Sequence, residues 1–471
     1  MFSRFGLFSV AVLFLSSGLF AQSFSEFKRT QVGSFETFKE KKDQLFHTYL
    51  KEQWKEYEAY TTPNFYKKQK PKNIEAVVQR KPKPIGPIVD IVVEKEKEQK
   101  PKKLDISVTN QEFVFNFFGT QLGFDIEKKV KELRFYPKNQ NGIISFFAGL
   151  ASSDYETTIY KIKEISKEMQ LNDWGVYQLV KMLSKEIYRS PDEAKLFRWF
   201  MLNKLSYDVK IALAQNHVVL LQNTQQVVYS TPRYKINGAY YYALEYANSN
   251  ERIGHLYTYD KKYPKGDKKL DFRISKTPFF QELQTKRKLR FQGLGQTYTF
   301  NIELNKNLVG FLGTYPQVDY DVYFNAPMEY TLYEELAKQI RVYINGKKAS
   351  QGLNFVLHFV QNSFKYQRDN EQFGKNKVMF AEETLFYESS DCEDRAVLFA
   401  KLVRKLFHFG VVGVKYKDHM STALYIPMDG DSIKMGSKRY VIADPTYINA
   451  NIGMNMPKYK NIQPESFVKL Q

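Results

Sequence analysis

Two stretches of this chain repeat one order of predicted elements. At a fixed offset of 202 residues, His217 aligns with His419 and Ser190 with Cys392. Each copy has an amphipathic helical pattern, a second helix and two strand-like segments, for example VKIALAQNHVVLL in the first and GVKYKDHMSTALYI in the second. Agreement over two helices and two strands indicates an internal duplication. The duplication restricts the chain to a fold with two related helix-and-strand units.

The predicted fold class is therefore α+β, with several domains. We expect the first unit over residues 105–248 and the second over residues 329–471. Residues 249–328 between them alternate apolar and polar positions, set off by Gly, Asn and Pro. That pattern predicts a small β-sandwich-like domain that separates the two units.

The first 21 residues have the pattern of a secretory signal peptide. Arg4 gives the positive start, Leu7–Leu15 the apolar run and Ala21 a small residue for cleavage. We therefore expect a periplasmic or secreted protein, and an uncleaved N-terminal membrane anchor is the alternative. The formal net charge of +19 favours an anionic envelope polymer or a membrane surface as partner through residues 22–104, unless the charge serves solubility alone. No nucleic-acid-binding module is recognised, so a nucleic-acid partner is not expected.

Residues 22–60 repeat aromatic side chains every 11 positions. The two lines of the repeat hold Phe24, Phe35, Phe46 and Tyr57, and Phe27, Phe38, Tyr49 and Tyr60. Eleven residues make three helical turns, which predicts an amphipathic helix with one aromatic face. Such a helix docks on the protein's own body or self-associates, or else it binds a membrane surface or a partner. Residues 61–104 contain 6 of the 17 prolines and many lysines, which predicts a stiff basic linker.

Cys392 is the only cysteine of the chain, and this excludes an intramolecular disulfide and a cysteine-based metal site. We expect no cofactor and no metal. Cys392 opens a predicted helix, where the free N–H groups and the helix dipole lower the pKa of a thiol and make it a nucleophile. In the first copy Ser190 takes this position before Pro-Asp-Glu, which indicates a helix N-cap. The first copy is therefore interpreted as degenerate.

Two further residues of the second copy complete a catalytic pattern. His419 opens an apolar strand, and Asp444 ends the strand-like segment RYVIADP. Adjacent antiparallel strands would bring the two side chains together, so that the carboxylate orients the imidazole toward the thiol. Each residue alone has an ordinary structural explanation: a core cysteine, a strand histidine and a turn aspartate. Their occurrence together, in this order, favours a shared catalytic role over three separate structural roles.

The segments SSDCEDRA, KDHMSTAL and VIADPTY resemble, in order and spacing, the transglutaminase-like cysteine hydrolase superfamily. The resemblance covers about residues 329–471 and looks particularly like bacterial exported members. It implies a papain-type fold and a Cys–His–Asp triad at Cys392, His419 and Asp444. It also implies a peptide or protein substrate, because family members cleave or transfer acyl groups at peptide or amide bonds.

The backbone N–H of Cys392 is one candidate oxyanion donor, and a second is needed. Gln361 and Tyr387 are the candidates, with purely structural roles as the alternative. The inserted stretch 368–389 is expected to cover the site as a polar loop. The predicted function is an exported thiol hydrolase or acyltransferase that works through a thioester on Cys392. The alternative is an inactive, envelope-associated scaffold that binds peptides.

Overall fold

The computed structural model describes residues 41–61, 63, 69–71, 74–76, 84–89, 111–247, 249 and 253–470. The predicted signal peptide lies outside the described residues, as do residues 22–40 of the predicted aromatic helix. Among the helices of the described ranges, none is long and apolar enough to cross a membrane.

The first half of the chain contains short strands around a group of helices. Its strands are β1 (Lys55–Tyr57), β2 (Tyr60–Thr61), β3 (Ile74–Glu75), β4 (Phe113–Phe117), β5 (Thr120–Phe124), β6 (Val209–Ala214), β7 (His217–Asn223), β8 (Pro232–Ile236) and β9 (Ala239–Tyr242). Its helices are α1 (41–50), α2 (Lys128–Glu132), α3 (Gln140–Ala151), α4 (Tyr155–Glu168), α5 (Asp173–Ile187) and α6 (Pro191–Lys204).

The second half has the same mixture of elements. Its strands are β10 (Leu256–Thr258), β11 (Gln284–Gly293), β12 (Gln296–Asn305), β13 (Lys365–Tyr366), β14 (Ser389–Ser390), β15 (Gly410–Lys415), β16 (Met420–Tyr425), β17 (Ser432–Met435), β18 (Lys438–Ala443), β19 (Tyr447–Ile448) and β20 (Ser466–Lys469). Its helices are α7 (Lys306–Leu312), α8 (Tyr320–Asn325), α9 (Tyr330–Ile344), α10 (Ala349–Asn362), α11 (Asp369–Gln372), α12 (Ala381–Phe386) and α13 (Cys392–Phe407).

The architecture is mixed α+β, with two main antiparallel sheets. A seven-stranded sheet has the order β1-β10-β6-β7-β9-β8-β2, and α6 packs on β6 and β7. A five-stranded sheet has the order β17-β18-β16-β15-β20, and α13 packs on β15 and β16. Strands β6, β7, β15 and β16 are almost continuously buried, because each sheet is covered on both faces by other parts of the chain.

The two sheets share one local topology. In the first half, α6 is followed by β6, β7, β8 and β9, which lie in the order β6-β7-β9-β8. In the second half, α13 is followed by β15, β16, β17 and β18, which lie in the order β15-β16-β18-β17. The internal duplication predicted from the sequence leads us to expect this agreement. The division of the chain into separate domains stays a prediction, since the largest buried cluster contains residues of both halves.

The expected β-sandwich at residues 249–328 is not what the structure contains. Strand β10 joins the seven-stranded sheet, and β11 and β12 form a two-stranded hairpin of their own. Helices α7 and α8 complete the segment. The alternation that suggested a sandwich comes from the hairpin, which buries one face against α9 and α10 and leaves the other exposed.

The aromatic helix is shorter than its 11-residue repeat predicted. Described residues 41–50 are helical, but Tyr57 and Tyr60 lie in strands β1 and β2 at the two edges of the seven-stranded sheet. Phe46 is buried against Phe147 and Tyr263, with ring centroids 5.4 and 5.1 Å away. Pairing with the sheet edges overrides the helical period, since edge strands offer unpaired N–H and C=O groups. The described part of this segment docks on the protein's own body.

The basic linker is not a free tether where the structure describes it. Residues 60–61 pair with β8, and β3 pairs in parallel with β19. Farther along, the backbone N–H of Val89 donates to the carbonyl of Lys347 over 2.7 Å. The prolines and charges of this segment predict that it has no buried core of its own. They do not prevent main-chain hydrogen bonds to other parts of the same folded chain. The described linker residues therefore lie along both halves of the protein.

Candidate active site

Helix α13 places Cys392 at its first residue, in the core of the second half. Asp394, two residues on, fixes the helix start: its Oδ2 accepts the N–H of Asp391 over 3.0 Å, and its Oδ1 accepts that of Met379 over 2.8 Å. The Cys392 side chain is fully buried. A thiol here lies beside the unpaired N–H groups of the first turn, which favour negative charge.

Arg395 holds α13 in position. Its Nε donates to Ser390 Oγ over 3.1 Å, and its two terminal nitrogens donate to the carbonyls of Gln361 and Phe364 over 3.1 and 2.8 Å. The whole side chain is buried, and burial lowers its pKa to about 10. The guanidinium thus ties the helix that carries the thiol to the end of α10.

His419 and Asp444 meet as the sequence pattern predicted. His419 ends the turn between β15 and β16, and Asp444 follows β18, which pairs with β16. The Nε2 of His419 and the Oδ2 of Asp444 are 2.9 Å apart, and both side chains are fully buried. The other oxygen of Asp444 accepts the N–H of Thr446 over 2.9 Å. Nδ1 of His419 has no hydrogen-bond partner among the described residues.

The thiol lies beside this histidine but is bonded elsewhere. The backbone N–H of Met420, the residue after His419, lies near enough to the Cys392 sulfur to favour its charged form and so to lower the pKa of the thiol. The ring of Tyr459 stacks on His419 at 4.9 Å between centroids. The thiol itself donates to Oε2 of Glu393 over 3.1 Å, and the structure contains no Cys392–His419 hydrogen bond. Of the three residues, His419 and Asp444 are therefore bonded to each other, and Cys392 is bonded to Glu393.

A cluster of buried acids surrounds the thiol. Burial, and then the carboxylates of Glu393 and Asp391, raise the pKa of the Cys392 thiol well above its usual range. Burial also raises the pKa values of Glu393 and Asp394, with Asp391 adding to both. Burial and Asp391 together raise the pKa of Asp369 to about 7. Several of these groups cannot ionise together without a cation.

The cation is Lys70, which comes from the linker. Its Nζ donates to Asp369 over 2.8 Å, to Asp391 over 2.5 Å, and to Oε1 of Glu393. Burial alone would lower the pKa of Lys70, but Asp391, Glu393 and Asp369 together raise it well above its usual value. The side chain therefore carries its charge into the core.

The same acids have the spacing of a cation site. Ligand atoms of Asp391, Cys392 and Glu393 lie within 4.8 Å of one another, as do those of Asp369, Asp391 and Asp394. The ammonium of Lys70 bonds members of both groups, so the positive charge that these carboxylates require is supplied by the chain itself.

We expect the buried acids to give the protein an unusual pH dependence. The pKa of Asp369 is raised from 3.8 to about 7, so the folded state binds a proton that the unfolded state has lost between these values. The free energy of unfolding should therefore fall as pH rises from about 4 to 7, by up to about 4 kcal/mol for this group. Asp369→Asn should flatten that slope in urea unfolding at several pH values. Asp267→Asn, whose side chain is 77% exposed, is the control, and an unchanged slope in Asp369→Asn would contradict the expectation.

The two proposed oxyanion donors are engaged in other contacts. The side-chain N–H groups of Gln361 donate to the carbonyls of Asp444 and Ala450 over 3.0 and 3.1 Å. Gln361 thus braces the segment that carries Asp444. Tyr387 packs its ring against Phe373 and Phe386, with centroids 5.3 and 5.1 Å away. Their part in oxyanion binding stays a prediction, and these contacts favour structural roles.

The first copy retains the geometry of the helix start without the triad. Ser190 is the N-cap of α6 and accepts the N–H of Glu193 over 3.4 Å, as predicted. His217 opens β7 and lies 3.3 Å from Asp192, with 70% of its side chain exposed. The helix start and the strand start are adjacent in this copy too, but no thiol is there.

Several residues of the site escaped the sequence interpretation. The sequence patterns single out neither Glu393, which accepts the thiol hydrogen bond, nor Tyr459, which stacks on His419. Asp369 and much of 378–385 were expected in a polar loop, yet they are buried against α13 and its surroundings. Runs such as Val378-Met379-Phe380 were the available signal for burial. Lys70 gave none, because it is one of many lysines in the linker.

The thiol is separate from the open clefts that were found. A surface cavity of about 520 Å³ is lined by residues such as Asn172, Asp271 and Arg273, and its lining includes no triad residue.

Comparison with known proteins adds little to this geometry. No family model matches the chain, and no curated protein matches it. A solved structure from Cytophaga hutchinsonii, described as a "putative cysteine protease", is 14% identical over 55% of this chain and 80% of its own, with a TM-score of 0.20. The resemblance is distant. It assigns no catalytic residues to this chain.

Proposed function

We propose that this protein is a thiol hydrolase of peptide or amide bonds, with acyl transfer to an amine as the related outcome. Cys392 is the nucleophile, His419 the general base and acid, and Asp444 the group that orients His419. The proposal depends most on one observation. His419 binds Asp444 through Nε2 and keeps a buried Nδ1 that has no partner among the described residues, while the backbone N–H of its neighbour Met420 favours negative charge on the sulfur.

The proposed reaction has two halves. The thiol turns from Glu393 to Nδ1 of His419, and the sulfur attacks the carbonyl carbon as its proton passes to Nδ1. The C–N bond then breaks, the proton moves to the leaving amine, and a thioester remains on Cys392. Water attacks the thioester with His419 as base, releases the carboxylic acid and restores the thiol. An amine in place of water would give acyl transfer.

The position of Cys392 favours the developing negative charge. Its backbone N–H is among the unpaired donors at the start of α13, and it can face the oxygen of a tetrahedral intermediate. The carboxylate of Asp444 holds a proton on Nε2 of His419, so that Nδ1 is the acceptor nitrogen. Cys392 and His419 therefore present a proton donor and a proton acceptor to the same buried space.

A peptide-binding scaffold without catalysis is the second candidate. It is favoured by the burial of Cys392, by its raised pKa and by its hydrogen bond to Glu393. In that case Cys392 would be an unreactive core residue, and the second copy would be as inactive as the first.

Alkylation of the single thiol separates the two candidates. Iodoacetamide labelling, read by intact mass at pH 5–9, would compare the unaltered protein with His419→Ala and with His217→Ala, the matched histidine of the first copy. We expect His419→Ala to slow labelling at pH 6 by about tenfold or more, because a thiol that has turned to Nδ1 of His419 gives up its proton there, whereas a thiol bonded to Glu393 keeps it. His217→Ala should label like the unaltered protein.

The same variants are also made in a Lys70→Gln background, because the burial of Cys392 limits access of the reagent in the unaltered protein. If all variants within each background label at the same rate, or if no variant labels in either background, the hydrolase proposal is overturned and the scaffold proposal remains. Release of new amino groups from an unfolded polypeptide, lost in Cys392→Ala, is the direct measure of hydrolysis.

The export of the protein, and its contact with anionic envelope polymers or a membrane surface, remain proposals that rest on the sequence. The described parts of 22–104 use aromatic and charged side chains on the protein's own body. A partner of this kind would therefore meet the basic residues that stay exposed.

A further inference from the structure

One linker segment passes near Cys392 and along β19, the strand that follows Asp444. The carbonyl of Pro71 accepts the hydroxyl of Tyr366 over 2.8 Å, and β3 pairs in parallel with β19. The N–H of Ala76 donates to the carbonyl of Ile448 over 2.9 Å, a few residues beyond Asp444. This is the way an extended peptide adds to the edge of a folded domain, through main-chain hydrogen bonds.

The Lys70 side chain enters the protein between these contacts. Its ammonium and the thiol of Cys392 share one carboxylate: Nζ bonds Oε1 of Glu393, and the sulfur donates to Oε2 over 3.1 Å. Lys70 also bonds Asp369 and Asp391. The bound side chain therefore ends beside the nucleophile, where a substrate side chain next to the cleaved bond would lie.

The acidic pocket holds more carboxyl groups than one ammonium needs for its hydrogen bonds. Asp369, Asp391 and Glu393 face a single lysine, and Oδ1 of the fully buried Asp391 has no partner among the described residues. A buried ion cluster assembled only for stability is a poor solution, because desolvation offsets most of its attraction. An excess of buried acceptors around a removable cation is instead what a recognition site requires.

We propose that this pocket is a recognition subsite for a lysine side chain on an extended peptide, and that the linker segment around Lys70 occupies it as a tethered substrate mimic. The inference rests on the proposed function, since it assigns the substrate class of the same site. The protein as described is therefore closed by its own linker. A lysine-bearing peptide would compete with residues 69–71 for the pocket and with residues 74–76 for the edge of β19.

Access to Cys392 tests this directly. Iodoacetamide labelling would compare the full-length protein, Lys70→Gln and the control Lys365→Gln, a lysine of β13 in an exposed ion pair with Glu388. We expect Lys70→Gln to label at least ~10-fold faster, because burial of the thiol then depends on a weaker closure. Lys365→Gln should label like the unaltered protein.

A variant that leaves the charges intact covers the case in which Lys70→Gln does not fold. Ala76→Pro removes the N–H that bonds Ile448, directly after the exposed two-residue strand β3. It should also speed labelling, by a smaller factor. If folded Lys70→Gln and Ala76→Pro both label at the rate of the unaltered protein, the tethered-mimic proposal is overturned.

Peptide protection tests the lysine preference itself. A synthetic peptide with the sequence of residues 67–76 should slow the labelling of Lys70→Gln toward the rate of the unaltered protein. The same peptide with norleucine at the position of Lys70 should not. Equal protection by both peptides, or by neither, would overturn the lysine subsite.

The outcomes also separate the subsite from the hydrolase. Faster labelling and lysine-dependent protection without any peptide cleavage would support the subsite and refute hydrolysis. Cleavage of peptides without lysine preference, by a protein whose thiol ignores residue 70, would support hydrolysis and refute the subsite.

Discussion

Replacing Asp444 by asparagine should lower the rate of peptide-bond hydrolysis by roughly 10²–10⁴-fold without unfolding the protein. The carboxylate has two acceptor oxygens, and both are engaged by N–H groups, one from His419 and one from Thr446. Asparagine has one oxygen and one NH₂ group, so it can satisfy only one of these donors.

Either placement of that amide disturbs the site. If the oxygen faces His419, the NH₂ group meets the N–H of Thr446, and two donors face each other in a buried place. If the NH₂ group faces His419, the proton moves to Nδ1, the nitrogen that has to accept the thiol proton. We expect kcat to fall much more than KM rises.

The matched control is Asp429→Asn, an exposed acid in the turn before β17 of the same sheet. It should keep its activity within about twofold, as expected for a surface change. The measurement is the rate of new amino-group release at saturating peptide, with circular dichroism to check the fold. Undiminished activity in Asp444→Asn would refute the orienting role.

Replacing Arg395 by leucine should lower the free energy of unfolding by about 3–5 kcal/mol, which is typical when one partner of a buried polar network is removed. Leucine fills part of the volume but leaves the carbonyls of Gln361 and Phe364 without their donor. Unpartnered buried carbonyls are costly because they have lost water as well.

The comparison is with Arg404→Leu, a half-exposed arginine on the same helix, whose loss should cost less than about 1 kcal/mol. Urea unfolding followed by tryptophan fluorescence gives both values. Arg395→Lys should recover only part of the loss, because a single ammonium cannot reach three separated acceptors. A fall below 1 kcal/mol in Arg395→Leu would mean that the network is dispensable.

The sequence carried enough information for the parts of the site that obey local rules. Cys392 at a helix start, and His419 and Asp444 at the ends of paired strands, follow from capping patterns, strand periodicity and spacing. The α+β class and the repeated helix-and-strand order follow from the same patterns. These features depend on neighbours within one supersecondary unit.

The features that the sequence did not reveal depend on distant parts of the chain. A lysine in a Pro- and Lys-rich segment looks solvated, and only the folded chain shows that Lys70 is buried among acids. The alternation at residues 249–328 is compatible with either a sandwich or a hairpin, since both bury one face of a strand. The aromatic repeat failed beyond residue 50 because sheet edges competed for the same residues.

The contacts of Lys70 also impose an order on folding. Lys70 is separated from Asp369 by 299 residues and from Glu393 by 323, so these contacts close very long loops. Contacts at such separations form late, because the entropy of loop closure has to be offset by structure that already exists. The acceptors of Lys70 come together only when the carboxyl-terminal half has folded. We therefore expect a refolding chain to reach a stage in which Cys392 is in place and still accessible, with the amino-terminal segment, synthesised first, among the last to reach its native contacts.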